Sequence, residues 1–119
     1  MRSIAVFLLT AGALALATTP AYATTGLVRP TTLTIYVGKH GVAGGPKKFT
    51  VRKNTHVVLV VNSVIGEAVH LHGYNLEKPI RSKTIPVRIA FIAKVAGVFE
   101  IELHLPGGRG LRIGLLTVR

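Results

Sequence analysis

From residue 31 to the C-terminus, apolar residues recur at every second position in short runs, and glycine, proline or asparagine punctuates the stretches between them. That period belongs to strands with one buried face, because successive side chains on an extended backbone point to opposite sides. Residues 31–37 (TTLTIYV) place Leu33, Ile35 and Val37 on one face. The glycine-rich stretch 38–46 reads as a long loop, and 48–52 (KFTVR) alternates again. The run 56–61 (HVVLVV) is continuous, apolar and β-branched, the pattern of a strand covered on both sides. Residues 85–93 (IPVRIAFIA) put Ile85, Val87, Ile89 and Phe91 on one side. Residues 98–104 (VFEIELH) turn Phe99, Ile101 and Leu103 inward and Glu100, Glu102 and His104 outward. The polar stretch 77–83, which holds Pro79, reads as loop or edge, and 111–118 closes the chain with a last strand. The spacing predicts one all-β domain of about seven or eight short strands, a sandwich or small barrel, without internal repeats.

The N-terminus follows a different logic. Arg2, an apolar stretch over 4–17 and the small-x-small motif Ala21-Tyr22-Ala23 predict a signal peptide over 1–23 and a mature domain over 24–119. The apolar stretch is shorter than the ~20 residues a membrane span needs, so the mature chain is expected to be periplasmic or secreted, with no transmembrane segment. There is no cysteine, so disulfides cannot staple the domain and packing must hold it together. The single methionine, Met1, leaves with the signal peptide, and with it the last sulfur donor.

Fifteen Lys and Arg stand against four acidic residues, a formal net charge of +11. Such a balance is first that of a solvated, soluble surface, and it also suits an acidic protein or an anionic surface as partner. The basic residues fall in scattered pairs such as Lys47/Lys48 and Arg52/Lys53, with no interleaved aromatics, so specific nucleic-acid recognition is not expected. Catalysis is not expected either. Glu67 and Glu102 are candidate acid–base groups, but no nucleophile motif, P-loop or zinc-protease motif accompanies them. Gly107-Gly108-Arg109-Gly110 opens a strand rather than a helix and so lacks the setting of a phosphate cradle.

The chemistry concentrates in residues 67–76, EAVHLHGYNL. His70 and His72 share a strand face, with Cβ atoms roughly 6–7 Å apart, and His104 closes the later strand. Together they predict a three-imidazole metal site, with Glu102 or water completing it. Imidazole suits Cu(II) and Zn(II), and neither requires a thiolate. The same alternation admits a metal-free reading. Val69 and Leu71 inward turn His70 and His72 outward, where a hydrogen bond to a loop carbonyl accounts for each ring. His40 and His56 have no partner motif.

The segments FTVRKNTHVVLVVNS, EAVHLHGYNL, PVRIAFIAKVAGVFEIEL and LRIGLLTVR, in this order, resemble the cupredoxin-like proteins over nearly all of the mature chain. The resemblance implies a Greek-key β-sandwich. It places the first copper histidine on His70 and the copper-binding cysteine position on Leu103. The loop that would supply a second histidine and a methionine is 105–111, which has neither. A blue-copper electron carrier is therefore not expected. The chain looks closer to an exported, cysteine-free subset carrying HLHGY and a later ELH. The expected function is a non-catalytic exported binding protein that takes Cu(II) first and Zn(II) second through His70, His72 and His104. The alternative is a metal-free domain that docks an acidic partner through its basic face. A family ligand at His70 faces inward, whereas alternation turns it outward; the two expectations conflict unless a bulge re-aims the side chain.

Overall fold

The computed structural model describes residues 16–21 and 26–119. The expected signal segment and its cleavage motif lie largely outside them. Eight strands follow: β1 (Thr31–Val37), β2 (Lys47–Val51), β3 (His56–Ser63), β4 (Ala68–Leu71), β5 (Leu76–Pro79), β6 (Val87–Ile92), β7 (Gly97–Leu105) and β8 (Arg109–Val118). They form a three-stranded sheet, β1-β3-β6, and a five-stranded sheet, β2-β8-β7-β4-β5. β1 runs parallel to β3 and β2 parallel to β8; the remaining pairs are antiparallel. Among the described residues there is no helix, and so none long and apolar enough to cross a membrane. This is the all-β sandwich that the alternation predicts.

The inward parity of each strand fills the space between the sheets. From the smaller sheet come Leu33 and Ile35, in register with Leu59 and Val61, which pair in turn with Ile89 and Val87. From the larger come Val69, Leu71, Ile101, Leu103, Ile113, Leu116 and Val118, all essentially excluded from water. Burial on this scale contributes about 1.5–3 kcal/mol per large aliphatic side chain, the main favourable term in a domain without disulfides. The one buried polar side chain among the described residues, Ser63, is satisfied locally, donating to the Ile65 carbonyl at 2.7 Å and accepting from its N–H at 3.2 Å.

Three local features depart from simple alternation. Ile85, expected inward, is 70% exposed, and β6 begins only at Val87. The intervening Pro86 has no N–H to give to a ladder. The first part of the expected loop or edge over 77–83 is edge strand β5. Finally, β8 carries a bulge: Ile101 pairs with Gly114 while Glu102 pairs with Arg112, leaving Ile113 as the extra residue. The bulge resets parity, so that Arg112 faces out while Ile113, Leu116 and Val118 face in. Gly114 lies where the sheets meet. A Cβ there would stand 3.0 Å from Ile35 Cδ1 and 3.1 Å from Ile101 Cδ1.

Candidate metal centre

β4 lies between β5 and β7 in the larger sheet, so each outward residue of β4 has a neighbour on both sides. Val69 and Leu71 are fully buried, and His70 therefore points away from the core. Its register partners are Glu77 on β5 and Glu102 on β7; His104 is opposite Ala68. His72 lies one residue beyond β4 but stays in the ladder, its backbone N–H donating to the Glu100 carbonyl at 3.0 Å. This outer face thus gathers His70, His72, His104, Glu77, Glu100 and Glu102. Of the chain's four acidic residues, only Glu67 falls outside the set.

The rings are close. His70 and His72 have centroids 4.2 Å apart, and His70 and His104 meet edge-on at 5.4 Å. Glu102 stands between two imidazoles, with Oε1 3.3 Å from His104 Nε2 and Oε2 3.5 Å from His72 Nε2. On its other side, His104 Nδ1 is 3.6 Å from Glu77 Oε1. These separations lie just beyond hydrogen-bond length. His72 Nε2 is shut off from solvent yet has no hydrogen-bond partner among the described residues.

One donor atom each from His70, Glu77 and His104 fall within 4.8 Å of one another. Ligands held about 2.0–2.1 Å from a common ion stand roughly 3.3–4.2 Å apart. The observed spread exceeds that by less than about an ångström, a gap that torsional adjustment of half-exposed side chains closes. Two imidazoles and a carboxylate are the donor set of a borderline divalent cation. The residues fit such an ion.

The local sequence explains how the face is built. Gly73 and Asn75 adopt φ of 78° and 52°, the left-handed conformation that turns β4 into β5 within a short connection. A side chain at Gly73 would collide with the Phe99 ring. Between them Tyr74 pins the turn to the loop before β7. Its hydroxyl donates to the Val95 carbonyl at 2.8 Å and accepts from the Val95 N–H at 3.1 Å, and its ring packs on Phe91 and Phe99. The HGYN segment is therefore structural as well as chemical, because it fixes the register that brings Glu77 beside His70.

Arg112, directly opposite Glu102, bonds instead to Glu100 Oε2 at 2.9 Å. That hydrogen bond holds the Glu100 carboxyl below the usual glutamate range and raises the Arg112 guanidinium. The cation is thereby turned along the sheet to Glu100, and Glu102 is left to the histidines.

The structure brings together all of the residues singled out from the sequence, His70, His72, His104 and Glu102. The compact donor group, however, is His70, His104 and Glu77, with His72 beside it. Glu77 was not among the expected site residues. Reading HGYN as a hairpin turn would have found it, since a four-residue connection over 72–75 sets residue 77 opposite residue 70. The conflict over His70 is resolved in favour of alternation, for the bulge lies on β8 and leaves β4 regular. Leu103, where the sequence resemblance places the copper-binding cysteine, is buried in the core on the opposite face of the sheet from His70. His40 and His56 are exposed and apart from the cluster.

No protein-family model matches the chain, and no curated protein matches it. Among solved structures, the fold is similar to the NMR solution structure of a copper-binding protein in its apo form. The TM-score is 0.52 at 14% identity, over 76% of this chain and 91% of that one. The likeness is one of fold, and it agrees with the all-β sandwich that the sequence predicts.

Proposed function

We propose that the chain is an exported, non-catalytic cupredoxin-like protein that binds Cu(II) on the outer face of its five-stranded sheet through His70, His104 and Glu77. The observation that carries this reading is the convergence of those three donors within 4.8 Å, on a face that collects three imidazoles and three of four carboxylates from a chain of net charge +11. A surface otherwise repellent to cations is locally acidic there. Among divalent ions, Cu(II) stands highest in affinity for nitrogen and oxygen donors, with Zn(II) behind it. The structural neighbour is itself a copper-binding protein. The described residues hold no thiolate or thioether, so the donor set does not fit a blue-copper centre. Imidazole and carboxylate donors suit copper in its divalent state.

His104 is the residue on which the site turns. Its Nδ1 faces Glu77 and its Nε2 faces Glu102. A ligating imidazole characteristically donates its other N–H to a carboxylate, which fixes the tautomer and raises ligand basicity. Glu102, with Oε1 3.3 Å from Nε2, is the carboxylate that would take that role, which leaves the lone pair of Nδ1 on the His70 and Glu77 side. His72, the other imidazole on Glu102, belongs to the layer around the ligands. The export half of the proposal rests on the sequence of residues 1–23.

Calorimetric titration of the full chain with Cu(II) and Zn(II) tests the site. One ion per chain is expected, lost in His70→Ala and His104→Ala and retained more weakly in His72→Ala. Affinity is expected to fall from about pH 8 to about pH 5, because protons compete for the imidazole nitrogens. Binding that all three variants leave unchanged, or no binding at all, overturns the reading.

A further inference from the structure

β5 and β6 are edge strands of the two sheets, and residues 80–86 join them. Between them runs an open groove of about 520 Å³. Its lining joins apolar residues, Pro79, Pro86, the buried Val87 and the exposed Ile85, with three cations, Lys78, Arg81 and Arg88. Among the described residues no carboxylate comes within 4.0 Å of any of these three cations; the ion pairs of the structure all lie on the histidine face. Lys83 is turned aside, its ammonium donating to the Gly66 carbonyl at 2.6 Å, and so anchors the joining segment.

We propose that this groove docks an extended acidic peptide segment of a partner protein, with its carboxylates against Lys78, Arg81 and Arg88 and an apolar side chain on Ile85 and Val87. Charge complementarity selects the acidic partner, since the cations are uncompensated and the chain carries net +11. The apolar part of the lining selects a peptide over a polyanion, which has no apolar group to bury there. Backbone geometry selects an extended one. Among the described residues β6 has no neighbouring strand on its outer side, whereas Pro79 on β5 blocks strand addition at that edge. The inference is independent of the metal reading.

The test is fluorescence anisotropy of the full chain, in the presence of a chelator, with a labelled peptide of alternating glutamate and valine. Binding is expected at low ionic strength and should weaken steeply as salt rises. The variant Lys78→Ala/Arg81→Ala/Arg88→Ala is expected to lose about tenfold in affinity or more. Ile85→Ser, at an exposed position that the fold does not need, is expected to lose about threefold. Lys47→Ala/Lys48→Ala/Lys53→Ala removes the same charge from the region of β2, at the opposite edge of the larger sheet, and is expected to stay within about twofold of wild type. Circular dichroism confirms that each variant is folded, and Ile85→Ser alone decides if the triple variant is not. Equal loss in the two triple variants reduces the effect to diffuse attraction and overturns the proposal. So does wild-type affinity in Ile85→Ser, or binding to phosphatidylglycerol vesicles with none to the peptide.

Discussion

Glu102 and Gly110 meet diagonally across the β7–β8 ladder: the Glu102 carboxylate occupies the space that a side chain at Gly110 would fill. Gly110 is the register partner of His104, so the room it leaves lies beside the ring that Glu102 reaches. Gly73 is glycine for a backbone reason, its φ being 78°. Gly110 has no positive φ, and its smallness serves the side chain of another residue.

Gly110→Ala is therefore expected to push the Glu102 carboxylate off His104 while leaving the strand intact. Cu(II) affinity should fall by about tenfold, and stability in a denaturant melt should change by less than about 1 kcal/mol. Unaltered affinity would show that the carboxylate does not position the ring.

Glu102 and Glu77 should respond differently to substitution. Glu102→Ala removes the group that orients His104 and is expected to weaken Cu(II) binding by about 10–100-fold. Glu102→Gln keeps an acceptor oxygen and is expected to recover most of the loss. Glu77→Gln removes an anionic donor, and no such recovery is expected. Nitrogen NMR of the His104 ring gives a second readout, with the proton moving from Nε2 in Glu102→Ala but staying there in Glu77→Gln.

Leu103→Cys restores the thiolate at the position that the family resemblance assigns to it, yet no blue centre is expected. Leu103 faces the core beside Val69, and His70 stands on the other side of the same sheet. The substitution is expected to cost about 2 kcal/mol through lost packing and to give no intense thiolate-to-copper absorption band. A blue protein would contradict the placement of His70.

The Glu100–Arg112 pair predicts a modest acid dependence of stability. The folded-state pKa of Glu100 lies below its ordinary 4.5, chiefly through the Arg112 hydrogen bond. The stabilisation is therefore present above that ordinary value and is lost as pH falls through the lowered folded value. Both side chains are substantially solvated, so the effect is small. Thermal melts of wild type and Glu100→Gln should differ slightly near neutral pH and converge in acid.

Much of this architecture is legible in the sequence because half-buried strands write their parity directly. TTLTIYV is β1 to the residue, and VFEIELH is β7 short by one residue at each end. Ile85 misleads because apolar alternation continues through Pro86 although the ladder cannot. The β8 bulge leaves no periodic trace, since RIGLLTV reads as one irregular run until Ile113 is seen to be unpaired. At the site, the outward parity of the three histidines follows from Val69, Leu71 and Leu103. Glu77 becomes legible only once 72–75 is read as a hairpin turn, and the tyrosine anchor that holds this turn is a long-range contact that leaves no local pattern.

The histidines stand outside a core that is complete without them. Val69, Leu71, Ile101 and Leu103 seal the inner side of β4 and β7, and none of them touches the chemistry on the outer side. Ligand identity and fold stability are consequently separate variables in this domain. Substitutions on the outer face can alter, discard or rebuild a donor set at little cost to folding, a freedom that a centre buried between the sheets would not have. A lineage on such a scaffold can change its chemistry one residue at a time.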